Sequence, residues 1–206
     1  VTPTSVSHPL DALRAHFHAD GVEVVHAQGC QIHRRLPELD LRLCRDVAVD
    51  VYGDPAALDD PAAEPMHRGS TGTLRLMWQF DPTGRGEANP SFGVRISATF
   101  VPDVSGAWRF GVESVSPVRL LLDGEVLIDN TDAPIGGSFF GMGRDEVVVA
   151  AELEAGSEHR LVIEVRHRPV GTGMGGVNVG ALAPTSGDLL AEAVDVAASA
   201  DLSIVV

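Results

Sequence analysis

The segment between positions 131 and 143 contains the residues whose types and spacing most favour ligand binding. It places the adjacent aromatic residues Phe139 and Phe140 among four glycines. Sugar rings stack on aromatic faces through their C–H groups, and neighbouring side chains on a strand point to opposite faces, so one ring would be exposed. The candidate binding residues are Phe139, Phe140, Met142 and Arg144. Packing of both rings in the core, with the glycines in turns, is the alternative interpretation.

Two further motifs are better explained by packing and turns than by chemistry. Trp78 and Trp108 lie in alternating segments, where a large ring most often packs in the core. The Gly-x-Gly-x-Gly pattern at 171–175 follows a β-type run and opens no helix. It therefore lacks the context that a dinucleotide or phosphate cradle requires. We interpret it as a rim loop, in a position to face a substrate.

Histidine and carboxylate groups show no metal-site pattern. Four histidines lie near the start of the chain, at His16, His18, His26 and His33. Zinc sites combine closely spaced pairs of ligands, and His16 and His18 would lie on different faces of a helix. The pair Asp59-Asp60 stands in a Pro-rich segment and is interpreted as a solvated charge pair. The sequence therefore predicts neither a metal nor a cofactor.

The overall composition excludes several classes of protein. The 206 residues include 15 Lys and Arg against 29 Asp and Glu, a formal net charge of −14 without a basic cluster, so nucleic-acid binding is not expected. No apolar run reaches the roughly 18 residues of a membrane-spanning helix, so no membrane partner is expected. Cys30 and Cys44 are too few for a disulfide framework. Reduced thiols favour a cytoplasmic parent, although the sequence assigns no localisation.

The two ends of the chain have the pattern of helix–strand units. Apolar residues recur at helical spacing in 8–20, with a proline in the first turn, and a short strand is predicted over 22–26. Near the other end a second helix is predicted, with Asp188 as its N-cap. An apolar strand follows over 202–206, of the kind that parallel sheets bury. We expect the two ends to belong to one sheet, as adjacent parallel strands.

Between about 45 and 183 the helical period is nearly absent. Nine short strands separated by Gly, Pro, Asn and Asp are predicted, at 47–52, 73–80, 93–101, 107–114, 118–122, 125–129, 146–153, 159–166 and 177–182. The dipeptide Asp123-Gly124 indicates a hairpin, because both residues tolerate positive φ. The number and spacing of the strands indicate an antiparallel β-sandwich or barrel. The Pro-rich segment 54–70 is predicted to be an exposed loop.

The order of these elements predicts three segments. Residues 1–44 and 185–206 are the two flanks of an α/β domain, and residues 45–184 are an all-β body. Neither flank is long enough to cover both faces of a sheet. We therefore interpret the body as a domain inserted into a surface loop of an α/β host, a position that tolerates insertions. We also expect the chain to be a segment of a longer one.

Three stretches of the body follow one pattern. The run 92–112 contains a strand that ends near a proline and then the sequence GAWRF; the run 119–130 reads RLLLDGEVLIDN. The run 154–165 has a Gly turn followed by an apolar strand. Together they resemble the PA-fourteen domain, named for anthrax protective antigen, over about two thirds of the chain. The resemblance implies a PA-fourteen-type antiparallel β-sandwich.

The flanks carry a second resemblance. Positions 9–13 read PLDAL, 21–30 read GVEVVHAQGC and 191–206 read AEAVDVAASADLSIVV. These segments are similar to the second α/β domain of glycoside hydrolase family three, in which a subset of β-glucosidases has a PA-fourteen insertion at this point. The resemblance implies a mainly β fold, a sandwich or barrel flanked by short α/β segments of an interrupted host domain.

The same resemblance implies a parent that is a retaining β-glucosidase, with one carboxylate as nucleophile and a second carboxyl as acid/base. The family carries both groups outside the stretch that this sequence matches, so no catalytic residue is assigned and the chain is not expected to be catalytic alone. The inserted domain is expected to form part of the substrate entrance and to select the aglycone. Its partners would be the glycoside substrate and the barrel domain of the parent.

Two other functions are compatible with the same residues: a carbohydrate-binding module that targets the enzyme, or a structural insertion that mediates oligomerisation, with a second copy of the chain as partner. Some sugar-binding adhesins of this domain type hold calcium with an Asp-Asp pair. The corresponding positions here read Val115-Ser116-Pro117. Because hard cations need several oxygen ligands, this departure disfavours calcium-dependent binding.

Overall fold

The strands of the body are those that the β-type runs predict, with one addition. The computed structural model describes residues 8–78, 90–169, 173–185 and 187–205. Its strands are β1 (Cys44–Tyr52), β2 (His67–Gly69), β3 (Arg75–Trp78), β4 (Phe92–Phe100), β5 (Gly106–Ser114), β6 (Val118–Leu122), β7 (Glu125–Asp129), β8 (Arg144–Leu153), β9 (His159–His167) and β10 (Gly175–Leu182). All nine predicted strands are present, and β2 is the addition. Positions 79 and 80 of the predicted run 73–80 lie outside the described residues.

The strands form two antiparallel sheets with a shared core. The larger sheet has the order β2-β1-β4-β9-β6-β7, and the smaller one has the order β3-β10-β5-β8. Side chains alternate between the two faces of each strand, so every second residue of the central strands points inward. Ile96 and Ile163 from the larger sheet and Phe110 and Val179 from the smaller one are completely buried in the same cluster. The predicted mainly β, antiparallel sandwich is therefore confirmed.

The Asp-Gly hairpin is also confirmed. It joins β6 to β7, with Leu122 paired to Glu125 across the turn. Asp123 has φ of 53° and Gly124 has φ of 89°. Positive φ at both central positions is what a two-residue hairpin turn requires, because its backbone twist then matches the twist of the two strands.

The segment 54–70 is only partly the exposed loop that its composition predicts. Residues Pro55–Asp59 form a 3-10 turn, and Leu58 within it is buried. The turn packs on β4, where a Cβ added to Gly93 would lie 3.0 Å from Leu58 Cγ. The absence of a side chain at Gly93 leaves space for Leu58. The interpretation as an exposed loop is therefore wrong for this part of the segment.

The contacts divide the chain into two compact units, one of residues 33–184 and one of residues 1–32 together with 185–206. The second unit contains helices α1 (Pro9–Phe17) and α2 (Leu189–Ser199). Asp188 caps α2 as predicted, since its side chain accepts hydrogen bonds from the backbone N–H groups of Leu190 and Ala191, both at 3.1 Å. Neither helix is long and apolar enough to cross a bilayer, nor is any other helix in the described part of the chain.

The strands predicted at the ends of the chain are not formed. Residues 22–26 and 202–205 make no strand, and Val206 lies outside the described residues. A strand exists only where its N–H and C=O groups pair with a neighbouring chain, and no described segment pairs with either stretch. Apolar side chains such as Leu202 and Ile204 are consequently exposed. Apolar composition alone does not produce a sheet.

Candidate functional site

The two adjacent phenylalanines lie in a turn rather than in a strand. Residues Phe139–Gly141 form one 3-10 turn, and Phe139 and Phe140 have φ values of 48° and 59°. For residues with a Cβ, this left-handed region costs about 1 to 2 kcal/mol. The prediction that strand alternation would separate the rings is therefore wrong. The turn separates them instead: Phe140 is 85% exposed, whereas Phe139 is half-buried.

Phe139 fixes the turn on strand β10. A Cβ added to Gly176 would collide with Cε1 of the Phe139 ring, and one added to Gly143 would lie 2.7 Å from its Cδ2. Both glycines thus leave the space that the ring occupies. Because Phe139 is held in this way, its neighbour Phe140 points away from the sandwich. Gly176 is remote in sequence, and no local signal distinguishes it from a turn glycine.

The segment 131–143, which we call the aromatic loop, is closed by backbone hydrogen bonds. Gly136 N donates to Gly143 O at 2.9 Å, and Asp145 N donates to Pro134 O at 2.9 Å. A side chain at Gly136 would overlap the Asp145 carboxylate, which would then have to move. A loop that is tied in this way holds an exposed ring in one position. Such preorganisation reduces the conformational entropy that binding would cost.

The other two candidates support the loop. Arg144 Nη1 donates to the carbonyl oxygen of Ala133 at 2.8 Å, and the Arg144 carbonyl accepts from Ser138 Oγ at 2.8 Å. Arg144 Nε is buried and has no hydrogen-bond partner among the described residues. Met142 is half-buried. The structure therefore brings all four candidates together, and Phe140 alone among them presents a largely exposed side chain.

A buried polar network lies under the base of the aromatic loop. Asn130 Oδ1 accepts a hydrogen bond from Val118 N at 2.6 Å, and Asn130 Nδ2 donates to Ser114 Oγ at 2.7 Å. Ser114 Oγ donates to the Ser116 carbonyl at 2.5 Å, and Ser116 Oγ lies 2.9 Å from His167 Nδ1. Asn130 is the last residue of the run 119–130 that carries the family resemblance. The sequence therefore singled out this run, although no role was assigned to Asn130 itself.

His167 is neutral in this network. It is almost completely buried, and this burial lowers its pKa to about 4. An imidazolium would lose its hydration here, so the folded state prefers the uncharged ring. The contribution of His167 to the free energy of unfolding is fully present above the ordinary histidine pKa of about 6.5. It is lost as the pH falls toward about 4.

The tryptophans pack as expected. Trp108 lies in the core, and its Nε1 donates to the Val104 carbonyl at 2.8 Å. Trp78 is half-buried against the rings of Phe92 and His167, with centroid distances of 5.6 and 5.7 Å. The first two residues of the glycine pattern at 171–175 lie outside the described residues, so its interpretation as a rim loop stays a prediction.

In the described part of the chain, the other reactive groups considered from the sequence do not assemble into a metal site. Within the described ranges no three His, Cys, Asp or Glu side chains are placed to hold a metal ion. Cys30 and Cys44 are free thiols, and burial raises the pKa of Cys44 to about 11. Asp59 is not simply solvated, because its Oδ1 accepts from Arg166 Nη2 at 2.5 Å. The Asp59 side chain is still 65% exposed, so it is a solvated charge that also pairs with Arg166.

Replacing Phe140 with glycine is expected to raise the free energy of unfolding by about 0.5 to 1 kcal/mol. Relief of left-handed strain, about 1 to 2 kcal/mol, exceeds the entropic cost of a glycine, about 0.5 to 1 kcal/mol. An 85% exposed ring contributes little packing that would be lost. Urea denaturation measures the change. The matched control is Phe139→Gly, which relieves the same strain but removes a packed ring and should destabilise. A loss of stability in Phe140→Gly would contradict the assignment of an exposed, strained ring.

The body is a sandwich of two antiparallel sheets with an Asp-Gly hairpin between β6 and β7 and the buried Asn130 after β7. These features describe the class of domain to which it belongs. The sequence profile of the PA14 domain matches residues 47–179, from β1 into β10. The chain therefore belongs to the PA14 (PA-fourteen) domain family, which confirms the resemblance seen in the sequence.

Its relatives are larger proteins. The "Probable beta-glucosidase H" of Aspergillus fumigatus is 31% identical over 196 residues, which are 89% of this chain and 23% of that protein. The protein of the same name from Aspergillus clavatus is 32% identical over 145 residues, 69% of this chain and 17% of that protein. The chain thus spans about a fifth of their length. Their names agree with the family of host enzyme that the flanks predict.

Solved structures share the fold. The β-glucosidase from Kluyveromyces marxianus in complex with glucose superposes with a TM-score of 0.77 at 20% identity, covering 95% of this chain and 25% of that one. An anti-sigma factor domain-containing protein from Clostridium clariflavum has a TM-score of 0.50 at 16% identity, covering 67% of this chain and 42% of that one. At such low identity the likeness is evidence of the fold alone.

Proposed function

We propose that this chain is the PA14 insertion, with its flanking α/β segments, of a retaining β-glucosidase of glycoside hydrolase family three. The names of the relatives support this assignment, as does the union of residues 1–32 and 185–206 in one compact unit. In this proposal residues 1–44 and 185–206 belong to the host domain and residues 45–184 are the insertion. The barrel domain of the parent is the neighbouring partner.

The role we propose for the insertion is to form part of the substrate entrance and to select the aglycone. The observation that carries it is Phe140, an exposed aromatic ring on a strained backbone within a tied loop. Strain of this kind persists where surrounding structure enforces it, and it concentrates at binding sites. Here the surrounding structure is the contact of Phe139 with Gly176 and the support that Arg144 gives to the loop. Phe140 would stack on a sugar or aromatic aglycone.

The chemistry of glycoside cleavage is assigned to residues of the parent outside this chain. A retaining mechanism needs two carboxyl groups about 5 Å apart, a nucleophile and an acid/base. The aromatic loop contributes binding energy only, and it acts on the part of the substrate that leaves. Its effect should therefore depend on the size of the aglycone.

In the full-length parent enzyme, Phe140→Gly should lower kcat/KM for a glucoside with an extended aglycone about tenfold. Its effect on a small chromogenic glucoside should be less than about twofold. Loss of one stacking contact accounts for the larger change, since aromatic contacts contribute about 0.5 to 1.5 kcal/mol. Steady-state kinetics with both substrates measure the ratio, and deletion of 131–143 should change it in the same direction.

Val126→Gly provides the control. Val126 is an exposed residue of β7, outside the aromatic loop, and the substitution removes its apolar side chain. It should leave the ratio of the two kcat/KM values unchanged. Equal losses on both substrates in Phe140→Gly would contradict an entrance role. Tight glycan binding by this chain alone, in a calorimetric titration with and without calcium, would instead favour a carbohydrate-binding module. Loss of a dimer or higher oligomer of the parent in Phe140→Gly would favour an oligomerisation insertion.

A further inference from the structure

The larger sheet has a trough along the outer face of its strand β4. Ile96 is buried in the core, so the next residue, Ser97, and Thr99 two positions further point to the opposite face. Thr99 is paired with Arg45 of β1 on one side and with Arg160 of β9 on the other. Short side chains of β4 therefore lie between longer ones of its two neighbouring strands.

One part of this trough is filled by the chain itself, and another part is open. The turn Pro55–Asp59 packs on β4 at Gly93, with Leu58 in the space next to the glycine. Farther along β4, at residues 97–99, lies a groove of about 490 Å³ with walls from β1, β9 and the β6–β7 turn. Small-molecule sites have volumes of about 300 to 1,000 Å³. The described structure thus contains a space of ligand size on a hydrogen-bonded sheet.

Hydrogen bonds fix one wall of the groove. Asp123, in the β6–β7 turn, accepts from Arg160 N at 2.7 Å, and its Oδ2 lies 2.7 Å from His159 Nδ1. His159 Nε2 lies 2.7 Å from Ser157 Oγ, in the turn between β8 and β9. His159 therefore joins the two turns at this end of the sandwich. A wall that is held in this way needs little ordering when a ligand binds.

Several polar side chains of the lining have no hydrogen-bond or ion-pair partner among the described residues. They are Asp46, Ser97, Thr99 and Arg160. In contrast, the carboxylates of Asp123 and Glu158 are occupied, the first by the Arg160 backbone and the second by Arg45 Nη2 at 2.8 Å. The groove therefore presents one free carboxylate, one free guanidinium and two free hydroxyl groups.

An irregularity of β1 brings Asp46 to the groove. The pairing of β1 with β4 shifts register between Arg45 and Ala48, and Asp46 has a φ of 54°. A bulge of this kind redirects a side chain, and bulges are frequent beside functional sites. Since neighbouring strands lie about 4.8 Å apart, β1 and β9 are about 10 Å apart across β4. Asp46 and Arg160 therefore stand on opposite walls of a groove that is wide enough for a single ring-shaped ligand.

The four free groups select the chemistry of the ligand. A carboxylate only accepts hydrogen bonds, a guanidinium only donates them, and a hydroxyl does both. An anion would be attracted by Arg160 but repelled by Asp46, and the reverse holds for a cation. An apolar ligand would bury all four groups without partners, which costs free energy. A neutral molecule with several adjacent hydroxyl groups satisfies the donors and the acceptors together.

We propose that this groove is a saccharide-binding site, separate from the aromatic loop, and that it takes a neutral sugar. Adjacent hydroxyls of the sugar donate to Asp46 and accept from Arg160, while its ring lies over Ser97 and Thr99. The aromatic loop precedes β8, whereas the groove lies beside the turn that follows this ten-residue strand, about 30 Å farther on. One sugar ring does not span that distance, so the groove and the proposed entrance bind independently.

Nuclear magnetic resonance of the isotopically labelled 206-residue chain tests the proposal, with cellobiose as the probe. Saturable shifts of the Ser97, Thr99 and Arg160 amides are expected, with a Kd of about 1 mM, which corresponds to the few hydrogen bonds available. Glucosamine and glucuronate add one charge of either sign and should bind more weakly. Tighter binding of either charged sugar would contradict a site for a neutral ligand. Shifts confined to the aromatic loop, or no saturable shift of the groove amides, would overturn the proposal.

Two variants remove single groups from the groove. Asp46→Asn keeps the left-handed backbone, which asparagine tolerates, and removes the charge, so it should raise the Kd about tenfold. Thr99→Val removes one hydroxyl and should raise the Kd about threefold. Glu152→Gln is the matched control, because it also removes one negative charge, from an exposed residue of β8 in the other sheet. It should leave the Kd unchanged. Groove variants that bind as tightly as this control would refute the assignment.

Phe140→Gly separates the groove from the proposed entrance. The variant should leave cellobiose binding at the groove unchanged, even though it lowers kcat/KM for an extended aglycone in the parent enzyme. Unchanged kinetics in the parent together with intact groove binding would count against the entrance role and not against the groove. Loss of groove binding in Phe140→Gly would show that the two sites are not independent, which contradicts the proposal.

Discussion

Asn130→Ala is expected to lower the free energy of unfolding by about 3 kcal/mol, one of the two largest effects that we predict for a single substitution. The variant leaves the backbone N–H of Val118 without its acceptor, and it removes the donor to Ser114 Oγ, which keeps its own hydrogen bond to the Ser116 carbonyl. Each buried polar group without a hydrogen bond costs about 1 to 3 kcal/mol. The cavity left by the amide adds to this cost. Urea denaturation of the chain at about pH 7 measures the loss.

The matched control for this prediction is Asn178→Ala. Asn178 is also almost fully buried, but in the described structure it makes one side-chain hydrogen bond, to Glu113 Oε1 at 3.0 Å, and its Oδ1 has no partner. Fewer interactions are lost, although the bond is to the buried Glu113 carboxylate, so about 1.5 to 2 kcal/mol is expected. Equal losses of stability in both variants would show that burial of the amide, rather than its hydrogen bonds, stabilises the fold. Asn130→Ala should also loosen the aromatic loop, because the Ala133 N–H donates to the Asn130 carbonyl at the loop base.

Arg95→Met is expected to lower the free energy of unfolding by about 3 kcal/mol. Arg95 Nη2 donates to Glu164 Oε1 at 2.9 Å and to the Leu58 carbonyl at 2.6 Å, and Nη1 donates to the Tyr52 hydroxyl at 3.1 Å. Glu164 is buried, and among the described residues its carboxylate would keep the 3.3 Å hydrogen bond from Arg166 and a longer-range attraction to Arg119. Removing one partner of a buried ion pair costs about 3 to 5 kcal/mol, because the other charge is left uncompensated. The residual contact with Arg166 places the expected loss at the lower end.

A second substitution separates charge from packing. Adding Glu164→Leu to Arg95→Met removes the uncompensated carboxylate and should restore about 1 to 2 kcal/mol. Arg45→Met is the control for an exposed pair, since Arg45 and Glu158 are 59% and 61% exposed, and it should cost less than about 1 kcal/mol. A double variant that is less stable than Arg95→Met would mean that Glu164 stabilises the fold through contacts other than its pairing with Arg95.

Local pattern was sufficient for the nine strands predicted in the body. The alternation of side chains in 93–101 and 107–114 predicts β4 and β5, because inward and outward positions are two residues apart whatever the strand packs on. The turn at Asp123-Gly124 and the cap at Asp188 depend on the residues themselves and their immediate neighbours. For the same reason the PA-fourteen resemblance could be recognised from short runs.

The candidate site depended on residues that are distant in sequence. The aromatic pair was visible, but its turn is held by Gly176 from β10, and nothing near position 139 reports that contact. The support beneath it joins Asn130 to Ser114 and, through Ser116, to His167. Histidine at 159 and aspartate at 123 come together because β6 and β9 are neighbours in the larger sheet.

By itself, the sequence determined nine strands of the body, the hairpin, the capped helix and the family, since each depends on periodicity or on a few consecutive residues. Tertiary structure alone decided that Phe140 is exposed, that His159 bridges two turns, and that 22–26 and 202–205 are not strands. The physical reason is the same in each case. Hydrogen-bond partners and the space next to a glycine are provided by distant parts of the chain, and only folding brings them within reach.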